Sequence, residues 1–145
     1  MRDIESVGGS ISTYSGANSM GLSIEVMQPD LPLAIDILTD ILRESKFDSA
    51  EIAREQDAQI AEIRQEREQP VKVAMLNARA KLFGDHPYSM PNLGTEKKVK
   101  ALKREDLIEF WKSVAVPSNI VLAVFGDIEP EKTRSLVLKR MGLLT

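Results

Sequence analysis

Arg54-Glu55-Gln56-Asp57-Ala58-Gln59-Ile60-Ala61-Glu62 reads as the middle of a helix. At 100° per residue, Ile52, Ile60 and Ile63 fall within an arc of about 80°, which defines one buried face. Glu55, Glu62 and Glu66 gather on the flank of that arc, and Gln59 lies between them and the isoleucines. Residues seven apart share a face, so Glu55 and Glu62 stand one above the other. A carboxylate there borders the core without being buried in it, and can point into a cleft. Just upstream, Asp48-Ser49-Ala50-Glu51 reads as a capping box, with Asp48 as N-cap and Glu51 reaching back. The helix runs to about Glu68 and stops before Pro70, because a residue preceding proline is pushed out of the α region.

Outward from this helix the pattern alternates between helical and extended segments. Residues 9–27 read as two strands. Ile11 and Thr13 alternate with Ser10, Ser12 and Tyr14, and Leu22, Ile24 and Val26 alternate with Ser23 and Glu25. A period of two marks half-buried strands, and Gly16-Ala17-Asn18-Ser19 supplies the turn of a β-hairpin. Asp30 then caps a helix whose apolar stripe, Leu31, Ala34, Ile35, Leu38, Ile41 and Leu42, should pack on the sheet. Pro32 falls in its first turn, where a missing N–H costs nothing.

A further helix covers about 71–83 and ends at Gly84. The turn-rich segment from Gly84 to Gly94 follows. A short helix is expected after Thr95, then a longer one over 104–114, with Leu107, Phe110, Trp111 and Val114 facing the core. Ile120-Val121-Leu122-Ala123-Val124-Phe125 is apolar at every position, which suits a strand covered on both sides. Pro130 opens a last helix that Gly142 closes. The expected class is α+β, two layers, with a mostly antiparallel sheet and helices packed on one of its faces. Residues 1–145 read as one compact unit, with no internal repeat or linker.

Composition narrows the function. With 145 residues, 43% hydrophobic and 28% charged, the chain is long enough to bury a core and ordinary for a globular protein. Its net charge is −3 and no basic stripe is present, which disfavours nucleic acid as a partner. No apolar run approaches membrane-spanning length. Cysteine is absent, which excludes disulfides and thiolate metal sites. The single histidine, His86, lies in a Gly-Asp-His-Pro turn, where a loop hydrogen bond is a better reading than metal ligation. Spacing alone leaves Glu55 and Glu62 with two readings. One is a ligand pair, and the other is a solvated face neutralised by Arg54, Arg64 and Arg67.

Segment order carries more information than any single motif. Ile4-Glu5-Ser6-Val7-Gly8-Gly9-Ser10 leads into the hairpin, and Arg43-Glu44-Ser45-Lys46-Phe47-Asp48 precedes the carboxylate helix. Leu82-Phe83-Gly84-Asp85-His86-Pro87-Tyr88, Leu93-Gly94-Thr95 and Arg104-Glu105-Asp106-Leu107 follow. Pro117-Ser118-Asn119 then introduces an apolar segment ending Gly126-Asp127. In this order the segments resemble the peptidase half of the pitrilysin/insulinase family of zinc peptidases, which includes the mitochondrial processing peptidase. The resemblance covers nearly the whole chain.

It implies a zinc site built from His-x-x-Glu-His and a distal Glu on a later helix, with water completing the coordination. It also implies a metalloendopeptidase in which zinc-activated water attacks extended peptides. Glu62 matches the distal ligand. Glu55 matches a second acidic position that supports the ligand without touching the metal. Ser12, Thr13 and Tyr14 match an edge strand that binds substrate by strand addition. A second peptidase-like half, in the same chain or as a subunit, is the implied partner. His-x-x-Glu-His is absent from these residues, and in the family it lies N-terminal to the segment matched here.

The chain is therefore expected to be an N-terminally incomplete half that neither holds zinc nor cleaves peptides alone. Apolar surface and an unprotected edge at residues 9–15 are expected to favour self-association. The bacterial cytoplasm or periplasm fits best as its compartment. The alternative is a non-catalytic, peptide-binding or scaffold half, in which the motif is naturally missing.

Overall fold

Residues 2–142 are described by a computed structural model. The elements run α1 (Arg2–Ser6), β1 (Ser10–Ser15), β2 (Met20–Glu25), α2 (Leu31–Glu44), α3 (Ser49–Arg67), α4 (Pro70–Phe83), α5 (Glu96–Ala101), α6 (Arg104–Val114) and α7 (Pro130–Met141). Single 3-10 turns lie at Gln28–Asp30, Pro87–Ser89 and Pro117–Asn119. The class is α+β, mostly helical, with one antiparallel two-stranded sheet. Among the described residues, 2–15, 19–46 and 110–142 form one compact unit, and 16–18 with 47–109 form a second.

In the first unit, β1 and β2 pair in the register Ser12↔Ser23, Thr13↔Leu22 and Tyr14↔Gly21. The hairpin anticipated from alternation is present, but β1 is not half-buried. All of its residues except Ile11 are exposed, because among the described residues neither of its faces is covered by a second layer. Tyr14, itself exposed, lays its ring across the neighbouring strand. A Cβ at Gly21 would collide with the ring's Cε1 and Cζ atoms, so the missing side chain makes room for the tyrosine, and an aromatic shields the weak strand glycine. Ahead of the hairpin, the sequence reading missed α1. Its Ile4 is the most deeply buried large side chain at 1% exposure. Gly9 donates to the Ile4 carbonyl at 2.9 Å, and a Cβ on Gly9 would lie 2.6 Å from Glu25 O and 2.9 Å from Ile4 Cγ2. A glycine is required where helix and strand approach this closely.

α2 packs against α7 and touches β2, with Ala34 and Ile35 as its buried residues. Arg140 of α7 holds both carboxylate oxygens of Asp36. Asp30 occupies the N-cap position, yet its side chain caps nothing. The preceding 3-10 turn brings the chain into the helix, and the Leu31 amide bonds Gln28 O. Trp111 lies partly buried, and its indole N–H donates to Leu42 O at 3.2 Å. Phe110, expected beside it in the core, is 55% exposed.

The largest departure concerns Ile120–Phe125. This segment is extended at Ile120 (φ −103°, ψ 133°) but belongs to no ladder among the described residues. Val121 is 94% and Phe125 90% exposed. An apolar run acquires strand structure only when neighbouring strands satisfy its backbone, and within the described residues none does.

In the second unit, Asp48 caps α3 as expected, accepting from Ala50 N at 2.9 Å and Glu51 N at 3.3 Å. Such a cap stabilises a helix by about 1 kcal/mol. Glu51 does not reach back, and pairs with Arg54 one turn on. α3 ends where Pro70 begins α4 at its first position, and Gly84 terminates α4. Ile60 and Ile63 of α3 and Val99 of α5 form the buried cluster, with Leu93 packed against it.

Candidate functional site

The carboxylate helix is held by one stripe of its own side chains. Gln56 Nε2 donates to Val99 O at 2.8 Å and Leu102 O at 3.0 Å, carbonyls at the C-terminal end of α5. Gln59 Nε2 donates to Leu93 O at 2.9 Å. Arg64 reaches Glu96 Oε2 at 3.0 Å and Arg67 reaches Oε1 at 3.0 Å. Together with Ile60 and Ile63, positions 56, 59, 60, 63, 64 and 67 follow helical spacing along one face. The rotation of α3 about its axis is therefore fixed by residues 93–102.

That rotation decides where the two acids lie. Glu55 and Glu62 fall on the flank outside the stripe, and both are exposed. Glu55 lies 3.9 Å from the Arg54 guanidinium, with its side chain 74% exposed, a contact of little energetic worth. Glu62 makes no hydrogen bond or ion pair with any described residue. Of the arginines that could neutralise this face, Arg64 and Arg67 are committed to Glu96 on α5. Two of the arginines of the solvated-face reading thus serve Glu96, and Glu62 has no arginine partner among the described residues.

The Arg64 hydrogen bond, aided by the nearby Arg67 and Lys100 charges, holds the Glu96 carboxyl below the usual carboxylate range. A carboxyl whose pKa is lowered by folding stabilises the native state above its unfolded-state pKa. That contribution is lost as pH falls through the folded-state value. Glu96→Gln is therefore expected to lower the melting temperature at neutral pH and to match the parent in acid. Thermal unfolding at stepped pH checks this. The effect should be modest, since both arginine side chains are 60% exposed.

His86 is a loop residue. Its Nδ1 accepts from Tyr88 N at 3.2 Å, and its ring meets Tyr88 edge-on with centroids 4.8 Å apart. Phe83 packs against both rings. Arg79 ties the turn down through Asn92 Oδ1 at 3.1 Å. Ser12, Thr13 and Tyr14 lie exposed on β1 in the first unit, Tyr14 at 60%, whereas Glu55 and Glu62 belong to the second.

Zinc in a peptidase needs three protein ligands, including nitrogen donors. Among the described residues no three His, Cys, Asp or Glu side chains converge. Glu62 with Glu55 is an oxygen-only pair on one helix. These residues by themselves do not fit a catalytic zinc. Sequence reasoning found the two acids but missed the locking role of Gln56 and Gln59. Their signal was polar residues three apart at the border of the apolar arc, where a long amide reaches a neighbouring backbone.

The α+β frame is shared with known proteases. A protease from Helicobacter pylori superposes over 99% of this chain and 35% of its own, with a TM-score of 0.92 at 16% identity. Residues 1–96 match the model of the insulinase family, peptidase family M16, and residues 101–145 match that of the peptidase M16 inactive domain. The chain belongs to the insulinase (M16) family. Relatives include an uncharacterized zinc protease of Mycobacterium leprae, 28% identical over 96% of this chain and 31% of its own length. A probable mitochondrial-processing peptidase β subunit of Arabidopsis thaliana is 30% identical over 94% of this chain and 26% of its own. The chain thus spans about a third or less of these relatives. No described helix is long and apolar enough to cross a membrane.

Proposed function

We propose that these 145 residues are most of one half of a zinc metalloendopeptidase of this family, acting on extended or unfolded peptides. In this reading Glu62 is the distal metal ligand and Glu55 orients it. Ser12, Thr13 and Tyr14 form the edge to which a peptide backbone adds. The nitrogen ligands and the general base would come from residues outside this chain, and a second peptidase-like half would complete the cleft. The observation that carries the reading is the state of Glu62. It is an exposed carboxylate without a hydrogen bond or ion pair among the described residues, on a helix that Gln56, Gln59, Arg64 and Arg67 hold against residues 93–102.

One carboxylate with a single acidic neighbour cannot hold zinc against water, because tight binding requires several converging donors. Elemental analysis of the purified chain is expected to show no stoichiometric zinc, and one tightly held zinc per chain would overturn the assignment of missing ligands. A second reading, a non-catalytic peptide-binding or scaffold half, is favoured by the match of residues 101–145 to the inactive-domain model. The two differ in one respect. Only the catalytic half gains zinc-dependent cleavage when a His-x-x-Glu-His segment is supplied.

A further inference from the structure

Gln56 and Gln59 hold α3 in a way that burial alone does not require. Ile60 and Ile63 meet Val99 and Leu93 through apolar contacts, which are non-directional and tolerate a small turn of the helix about its axis. Hydrogen bonds do not. The Gln56 amide spans the carbonyls of Val99 and Leu102, and one turn on the Gln59 amide meets that of Leu93. Both glutamines are half-buried, while Glu55, Asp57 and Ala58 beside them are exposed. These directional contacts fix the rotation and the height of α3 together. The ion pairs of Arg64 and Arg67 with Glu96 restrain it less, because both arginines are largely exposed.

Glu62 gains most from that restraint. It follows Gln59 by three residues, one turn on and about 60° round the axis. A carboxylate about 5 Å from the axis moves about 0.9 Å when the helix turns by about 10°. Functional groups have to be held within about 0.5 Å of their working geometry. A rotation too small to expose Ile60 or Ile63 therefore already carries Glu62 out of place. We infer that Gln56 and Gln59 are positioning residues, acting on the Glu62 carboxylate through the rotation of α3. The inference rests on the role proposed for Glu62 and adds to it the residues that aim this side chain.

Zinc affinity and peptide cleavage of the chain combined with the His-x-x-Glu-His segment of a family peptidase test it. Circular dichroism and the urea midpoint of each variant serve as fold controls. Gln56→Met with Gln59→Met removes the three hydrogen bonds at nearly constant volume. It should weaken zinc binding about tenfold, the order expected when a group that orients a ligand is lost. Turnover should fall with it while KM holds, because the peptide edge proposed at Ser12, Thr13 and Tyr14 is untouched. Gln59→Met alone should give a smaller loss in the same direction. Gln59→Lys, whose ammonium can still donate to Leu93 O, should recover most of the affinity. Ile60→Val loosens the core but keeps all three hydrogen bonds, so it should lose stability without losing zinc. Parent-like zinc affinity in Gln59→Met and in the double variant would overturn the inference. So would an equal loss of zinc in Ile60→Val at matched stability, since the glutamines would then act through stability alone. A Glu62→Gln complex that keeps its zinc would instead remove the proposed site itself, and this role with it.

Discussion

Glu62→Gln is expected to abolish zinc-dependent peptide cleavage by this chain once it is combined with the His-x-x-Glu-His segment of a family peptidase. The same substitution should leave its folding intact. Both halves of this expectation come from the surroundings of Glu62. The side chain is exposed and bonds no described residue, so glutamine, of nearly equal volume, costs the fold nothing. Glutamine cannot supply an anionic oxygen, however, and a ligand set reduced by one charged donor loses its metal. Glu55→Gln should act more weakly. Groups that orient a ligand typically change metal affinity or activity about 10–100-fold. Cleavage of an unfolded peptide, with and without a chelator, measures both variants. Full activity in Glu62→Gln would remove the residue from the site.

Ile63→Ala is expected to give the largest stability loss of any single substitution in the second unit, about 2–4 kcal/mol. Ile63 is 5% exposed and shares its cluster with Ile60 and Val99, so the buried core of this unit is thin. Truncation removes contacts on both α3 and α5 and leaves a cavity that the helix pair, fixed by Gln56, Gln59 and Glu96, cannot easily close. By contrast, Val71→Ala on α4, where Val71 is 72% exposed, should stay within about 0.5 kcal/mol of the parent. Urea unfolding of the two variants gives the comparison. Equal losses would mean that the Ile60–Ile63–Val99 cluster does not organise the unit.

Features with a local cause were legible in the sequence. The cap at Asp48, the break at Pro70 and the end at Gly84 each depend on a few neighbouring residues, and each stands where the pattern put it. The face of α3 was legible too, because helical periodicity fixes which side chains share a side. Features set by distant partners were not legible. Ile120–Phe125 reads as a buried strand because its composition records the environment that suits it, while pairing requires neighbours that composition does not supply. Phe110 followed the apolar stripe of α6 yet lies exposed, since periodicity assigns a face without saying how far that face is covered. α1 is too short to show a period at all. At the candidate site, residue types identified Glu62 and Glu55. The hold of Gln56 and Gln59 on residues 93–102 depends on contacts 34 to 46 residues apart, which spacing along one helix cannot reveal.

The zinc content of the chain combined with a His-x-x-Glu-His segment tests the assignment of Glu62 most directly. Measured after exhaustive dialysis, the parent complex should retain one zinc and the Glu62→Gln complex should retain none. Equal retention by both, or by neither, would contradict the role given to this carboxylate.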